Sequence, residues 1–287
     1  MNVTKNLFLL SKAIFRQSLK CYSEKMNLET CKRKEEVIFS AVDRKYYRSY
    51  GITWAWSIYK NNMHAHLHVI NPKKRDIKSL ERLAQNMYGH LSFTTGDIDY
   101  DLPKDRCYFA SFRFLFIKNL SKIYKKIIVI DIDSLVRKKI NFPNEDFGFY
   151  IRKSLNTIDP WYQDSSKIAA GIFFINNENP ENALLFHETY KRYLFKHFNE
   201  GNWRWMIDQR SLFETFSELK TKSPDFKFYA FNMTELSWSF DAAALIWTGK
   251  GERKFKNKKY LKEFRKQKKE YWQKVYKRWF EKILRFK

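Results

Sequence analysis

Asp131-Ile132-Asp133 follows directly on the apolar run Ile127-Ile128-Val129-Ile130. A buried parallel strand delivers its C-terminal end to the crevice where open α/β sheets bind ligands. Two carboxylates two residues apart, one at the strand end and one in the turn, can face a single cation there. Hard oxygen donors suit Mn2+ or Mg2+, ions that bridge diphosphate oxygens. The bland alternative is a polar strand end with one aspartate capping the next element, and an isolated D-x-D is more often that.

The surrounding elements decide between the two. Residues 37–42 form a β-rich run, residues 46–60 have helical spacing (Tyr46, Tyr50, Trp54, Ile58), and residues 65–70 form a second β run closed by Asn71-Pro72. Residues 76–88 are helical with Leu80, Leu83, Ala84 and Met87 on one face. Residues 91–94 read as a third strand, 107–120 as a helix carrying Arg113, and 126–130 as the most apolar strand. Strands alternating with helices over residues 37–133 predict an α/β fold with a largely parallel sheet. Beyond Asp133, strands are expected at 147–151, 171–176 and 226–231, and helices at 180–198 and 204–216. The expected organisation is a basic helical lead (1–35), one catalytic domain (36–252) and a basic aromatic amphipathic tail (253–287).

Four stretches in order carry a resemblance. Phe39-Ser40-Ala41-Val42-Asp43-Arg44-Lys45-Tyr46 has a strand followed by Asp-x-x-Tyr. Phe112-Arg113-Phe114 leads to Ile127-Ile128-Val129-Ile130-Asp131-Ile132-Asp133. Ala169-Ala170-Gly171-Ile172 opens a strand, and Asp208-Gln209 stands at a helix start. Together they resemble the GT-A nucleotide-sugar glycosyltransferases, most nearly glycosyltransferase family 8 and its relatives, over roughly residues 37–250. The resemblance implies a Rossmann-like, mixed but mostly parallel sheet flanked by helices. It places Ala41, Asp43 and Tyr46 at the nucleotide base, Arg113 near the nucleotide or donor sugar, and Asp131, Ile132 and Asp133 at the metal-bound diphosphate. Gly171 would line the sugar, Asp208 and Gln209 would be the catalytic pair, and Gly249 and Lys250 would close on the donor. The implied cofactor is Mn2+ or Mg2+, bound by Asp131 and Asp133. The implied substrates are a nucleotide-sugar donor, with UDP expected, and a saccharide or glycolipid acceptor, with retention at the anomeric carbon.

Two departures qualify the pattern. The family has Asn where Ala169 stands, which puts one sugar hydrogen bond in question. It also has a His before a Gly near the domain's end as a third metal ligand, whereas Thr248 stands before Gly249 here. Either two aspartates, diphosphate and water hold the metal, or that stretch aligns differently. Lys250 and Arg253 remain as cations for the diphosphate.

Two other readings compete. Ile128-Val129-Ile130-Asp131-Ile132-Asp133-Ser134 also resembles the first motif of haloacid-dehalogenase-like phosphatases, in which Asp131 would be the nucleophile. That motif ends a first strand, and here nearly a hundred residues of α/β pattern precede it. A non-catalytic basic nucleic-acid-binding protein predicts charge spread over a domain face. The net charge is +24, but residues 250–287 hold 17 Lys/Arg against four Glu. More than half of the excess therefore lies in the tail, which makes nucleic acid the weaker partner. In the tail, Tyr271/Trp272, Val275/Tyr276, Trp279/Phe280 and Ile283/Leu284 recur at helical spacing among Lys and Arg. A basic aromatic helix of that kind fits an anionic membrane surface, as do the similar tails of bacterial family 8 enzymes acting on lipid-linked saccharides; the alternative is an ordinary amphipathic helix packed back on the domain. With Cys21, Cys31 and Cys107 scattered and no apolar run of 18 residues, a cytoplasmic protein is expected, peripheral on the inner face of a membrane.

Three smaller clusters complete the reading. His64, His66 and His68 share one strand face, for which a solvent-facing strand edge is expected over a metal site. Trp54, Trp56, Trp203 and Trp205 suit core or interface packing before sugar stacking. Asp97, Asp99 and Asp101 alternate in a loop and suggest at most a second cation site.

Overall fold

The computed structural model describes residues 35–97, 105–152, 166–202, 204–223 and 225–284. Residues 1–34 of the lead expected over 1–35, the aspartates Asp99 and Asp101, and Trp203 lie outside the described residues. The first half of the chain alternates strictly: β1 (Glu36–Asp43), α1 (Arg44–Tyr59), β2 (Ala65–Ile70), α2 (Lys74–Asn86), β3 (Leu91–Gly96), α3 (Asp105–Leu120) and β4 (Lys126–Ile130). Then come β5 (Ser134–Val136), β6 (Phe147–Ile151), β7 (Ile168–Asn176), α4 (Pro180–Asn199), α5 (Ile207–Lys222) and β8 (Phe228–Phe231). The chain continues through β9 (Leu236–Ser237), β10 (Ile246–Thr248), α6 (Arg253–Lys256) and α7 (Lys258–Leu284).

Seven strands form one sheet in the order β3-β2-β1-β4-β7-β6-β8. β3, β2, β1 and β4 are mutually parallel, β7 is antiparallel to both β4 and β6, and β8 runs parallel to β6. Six strands therefore share one direction. The chain leaves β1 toward β2 on one side and returns to β4 on the other, so the crevice between the ends of β1 and β4 is the topological switch point. Open α/β sheets bind ligands at such a point.

Side-chain alternation along β4 divides the core between the sheet's two faces. Ile127 and Val129 join Phe39, Phe173 and residues of α3, α4 and α5. Ile128 and Ile130 join Trp54, Leu80 and Tyr271 on the face covered by α1, α2 and α7. Strands buried on both faces read as continuous β-branched runs, which is why β1 and β4 are so apolar. Trp54 and Trp56 lie in this core, whereas Trp205 is exposed.

The histidine stripe departs from expectation. β2 is an interior strand, so His64, His66 and His68 are buried rather than at a solvent-facing edge. Hydroxyls of the neighbouring strand bond to them: Ser92 Oγ lies 2.8 Å from His66 Nδ1, and Thr94 Oγ1 lies 2.8 Å from His68 Nδ1. His68 also packs on Phe116, with ring centroids 3.9 Å apart. Burial lowers His68 to about 3 and holds His66 well below the usual histidine range, so both rings are neutral at neutral pH. The stripe is a polar seam between strands.

α7 packs along α1. Trp56 Nε1 and Lys60 Nζ both donate to Glu270, at 3.2 and 2.9 Å, and Asn86 donates to the Tyr271 hydroxyl at 3.1 Å. This splits the aromatic face expected of the tail. Tyr260 and Tyr271 are buried, while Trp272, Tyr276, Trp279, Phe280, Ile283 and Leu284 form an exposed apolar row. Among the described residues no helix is long and apolar enough to cross a membrane.

Candidate active site

Five elements converge at the switch point. β4 ends at Ile130, and Asp131 and Asp133 follow in a turn closed by the Ser134 N–H donating to the Asp131 carbonyl at 3.0 Å. β1 ends at Asp43, whose Oδ1 accepts from the Tyr46 N–H at 2.7 Å and caps α1. Asp-x-x-Tyr is thus a helix start, with the aspartate satisfying an orphan amide and Tyr46 exposed on the first turn. α3 brings in Arg113 from behind the sheet. β7 brings Gly171, where a Cβ would stand 3.4 Å from Asp131 Oδ2. α5 begins after Met206, which takes a left-handed conformation (φ 73°) and so sets Asp208 in the first helical turn, facing Arg113.

A second, three-stranded sheet completes the site. β10 lies antiparallel to β5, with Thr248 opposite Ser134, and parallel to β9. The pairing carries Gly249 against the D-x-D turn, where its N–H reaches the Asp133 carbonyl at 3.3 Å. The chain then turns through Gly251 (φ 59°) into α6, which places Lys254 beneath the turn. Lys254 Nζ donates to Asp133 Oδ2 at 2.8 Å, and the Tyr260 hydroxyl donates to the Asp133 carbonyl at 2.7 Å. Lys254 Nζ also lies 5.0 Å from the Tyr46 ring centroid and 5.5 Å from that of Tyr50, within reach of cation–π attraction.

The electrostatics follow from these contacts. Arg113 is buried; Nη1 donates to Asp131 Oδ1 and Nη2 to Asp208 Oδ2 at 3.3 Å. Burial raises Asp208 above the usual carboxylate range even with that guanidinium beside it. Burial, and then the Asp131 charge, push Asp133 up to about 6 against the pull of Lys254. Burial would lower Lys254, but Asp133 outweighs it and holds the ammonium above the ordinary lysine range. The 2.8 Å contact between the two buried groups is that of an ion pair.

Most of the residues expected at a site do meet here: Asp131, Asp133, Arg113, Asp208, Gly171 and Gly249, with Asp43 and Tyr46 on the α1 side. Ala41 and Ile132 are buried backbone supports for them. Gln209 turns toward the sheet, where its Oε1 accepts from the Ala170 N–H at 3.2 Å, so it fixes the strand next to Gly171. Lys250 is exposed at the mouth, near enough to Asp131, Asp208, Arg152 and Arg253 for all four to bear on its charge. Lys254 was not among the expected residues. In sequence it is one cation in a basic run, and its only distinction is a glycine turn before it.

Asp131 and Asp133, the donors expected for Mn2+ or Mg2+, lie side by side in the turn after β4. Each aspartate is engaged by a cation of the chain, and the residue in place of the third ligand, Thr248, is buried and accepts from Ser134 Oγ at 2.9 Å. Among the described residues no group of three His, Cys, Asp or Glu could hold a metal ion.

No family model matches the sequence, and no curated protein matches it. Solved structures match the fold. An active-site mutant of the galactosyltransferase LgtC aligns with TM-score 0.52 at 12% identity, covering 82% of this chain and 95% of that one. The apo form of the glycosyltransferase GlyE from Streptococcus pneumoniae TIGR4 aligns with TM-score 0.53 at 13% identity, covering 85% of this chain and 64% of GlyE. At such identities the likeness is one of fold. The chain has the GT-A-like fold of these glycosyltransferases, which is the architecture the four sequence stretches implied.

Proposed function

We propose that the chain is a nucleotide-sugar glycosyltransferase related to glycosyltransferase family 8. In this reading it moves a sugar from a nucleoside diphosphate sugar, a UDP-sugar by the resemblance, to a hydroxyl of a saccharide or lipid-linked saccharide, with retention. The supporting observation is the meeting of Asp131, Asp133, Arg113, Asp208 and Gly171 at the switch point of a GT-A-like sheet. A phosphatase of the haloacid-dehalogenase kind fits less well, because the Asp131 carboxylate, its required nucleophile, is paired with Arg113 and the sheet is that of another fold.

The base lies at the end of β1 beside Asp43 and the exposed Tyr46 ring. Lys250 and Arg253 offer charge to the diphosphate at the cleft mouth, where negative charge develops as the sugar departs; fixed cations aimed at such charge lower the barrier. The sugar lies over Gly171, whose missing side chain leaves room beside Asp131, and Asp208 is the carboxylate on that side. The remaining task is to hold an acceptor hydroxyl near the anomeric carbon. A thermal-shift screen of UDP-, GDP- and CDP-sugars tests the assignment. A ligand at a hundredfold its Kd contributes about 2.7 kcal/mol, or roughly 5 °C or more for a chain of this size. If no nucleotide sugar moves the transition, the proposal is wrong.

The exposed row on α7 gives the proposal a location. Trp272, Trp279 and Phe280 project beside the exposed Lys268, Lys269 and Lys277, and each cation near an anionic surface contributes about 1 kcal/mol. We therefore propose peripheral binding to anionic membrane, where a lipid-linked acceptor resides. Because Tyr260 and Tyr271 anchor α7 in the core, deleting the helix would disturb the domain. W279S with F280S removes two of the row's rings and leaves the buried anchors in place. The double variant is expected to lose most co-sedimentation with vesicles containing phosphatidylglycerol, and undiminished binding would rule the surface out.

A further inference from the structure

We propose that this site binds its nucleoside diphosphate without a divalent cation, the Lys254 ammonium and the Arg113 guanidinium together supplying the two positive charges that a metal would bring to Asp131 and Asp133. The inference rests on the glycosyltransferase reading above and concerns how that site holds its donor.

The geometry is specific. Arg113 is on the Asp131 carboxylate and Lys254 Nζ is 2.8 Å from that of Asp133, with all of these side chains except Asp131 about nine-tenths buried. Two monovalent cations on two carboxylates give the local charge balance of one divalent ion on the same pair. An ion on both aspartates would compete with the buried Lys254 ammonium for Asp133. Displacing Lys254 from Asp133 would leave an ammonium about nine-tenths buried without its carboxylate, which is strongly unfavourable, while Arg113 would keep Asp208.

Lys254 is also fixed from several sides. Gly249 backs onto it so closely that a Cβ there would stand 2.5 Å from Lys254 Cβ. Tyr46 and Tyr50 face its ammonium, and its Nζ lies 3.5 Å from the Tyr46 hydroxyl. Tyr260 fixes the Asp133 backbone on which the pair depends. The place of a third ligand is closed too, since Thr248 is held in the β5–β10 pairing with its hydroxyl taken by Ser134. An ammonium has three hydrogens, so Lys254 can hold Asp133 and still offer one to a phosphate oxygen. Asp131, Asp133 and Asp208 carry three negative charges against two from Arg113 and Lys254, so Lys250 and Arg253 at the mouth bring the balance to +1 for a dianionic diphosphate.

Isothermal titration calorimetry of the full chain with UDP, GDP and CDP, run in EDTA and again in Mn2+, tests this. At least one nucleotide is expected to bind in EDTA, with Mn2+ changing its Kd by less than about threefold, under 1 kcal/mol. In manganese electron paramagnetic resonance, protein plus nucleotide should sequester no more Mn2+ than nucleotide alone. The neutral pair K254M/D133N, which leaves no orphan charge in the core, should lose at least about tenfold in affinity in EDTA. Binding that appears with Mn2+ and vanishes in EDTA would overturn the inference and leave the glycosyltransferase reading standing. Wild-type affinity in K254M/D133N would also overturn it. No binding of any of these nucleotides in either condition would overturn both.

Discussion

Replacing Arg113 by methionine is expected to destabilise the fold by about 3–5 kcal/mol, the range seen when one partner of a buried ion pair is removed. Methionine keeps much of the apolar stem and adapts to irregular space, so the loss is electrostatic more than steric. The guanidinium lies between Asp131 and Asp208, and without it two carboxylates face each other, the Asp208 side chain only 7% exposed. Asp208 is already raised by burial, and losing its cation raises it further. A carboxyl with a folded pKa above its unfolded value is destabilising at high pH, and the penalty shrinks as pH falls through the folded pKa. The defect of R113M should therefore be larger at pH 8 than at pH 5.5 in urea unfolding. Adding D208N should recover part of it, because the second carboxylate no longer carries charge. A midpoint within about 1 kcal/mol of wild type at pH 8 would show that Arg113 is not what holds these aspartates. Nucleotide binding should fall with stability, since the same guanidinium orients Asp131 at the cleft.

The main sheet was legible because its strands obey one rule. Strands buried on both faces are predominantly apolar, and β2, β4 and β6 have the bounds that their apolar and β-rich runs predict. The candidate site was legible where its residues are tied to those strands: Asp43 ending β1, Asp131 directly after β4, Gly171 within β7. The second sheet was not. β5, β9 and β10 have two or three residues each, too few for any periodicity, and they form by pairing with each other. Lys254 is invisible for the same reason, since it reaches Asp133 only because β10 pairs with β5 and delivers the glycine turn. The histidine stripe was half legible. Alternation says that His64, His66 and His68 share a face, but burial follows from the order of strands. One signal was available: Ser92 and Thr94 alternate in the next strand, in register with the histidines they bond. The α5 start was expected near residue 204, but the left-handed Met206 delays it to Ile207.

Gly249→Ala should have an effect out of proportion to one methyl group. The added Cβ would stand 2.5 Å from Lys254 Cβ and 3.5 Å from Lys254 Cα. The first distance is far inside contact, and the obstacle is the root of a side chain, which cannot rotate away. α6 must therefore retreat, taking the ammonium off Asp133. Overpacking of this kind costs about 1–3 kcal/mol. The loss of the ion pair adds to that and should weaken nucleotide binding at least about tenfold, or 1.4 kcal/mol. Gly171→Ala provides the contrast. There the new methyl meets Asp131 Oδ2 at 3.4 Å and Leu236 Cδ2 at 3.6 Å, ordinary contacts that require little movement. That variant should unfold within about 1 kcal/mol of wild type and bind free UDP, GDP or CDP as before. Sugar transfer alone should suffer, because the methyl occupies the space assigned to the donor sugar. Calorimetry with the bare nucleotide and unfolding in urea separate the two variants without knowledge of the acceptor. If G249A binds nucleotide as wild type does, Lys254 is not part of the donor site. If G171A loses free-nucleotide binding, β7 lines the base or diphosphate instead of the sugar.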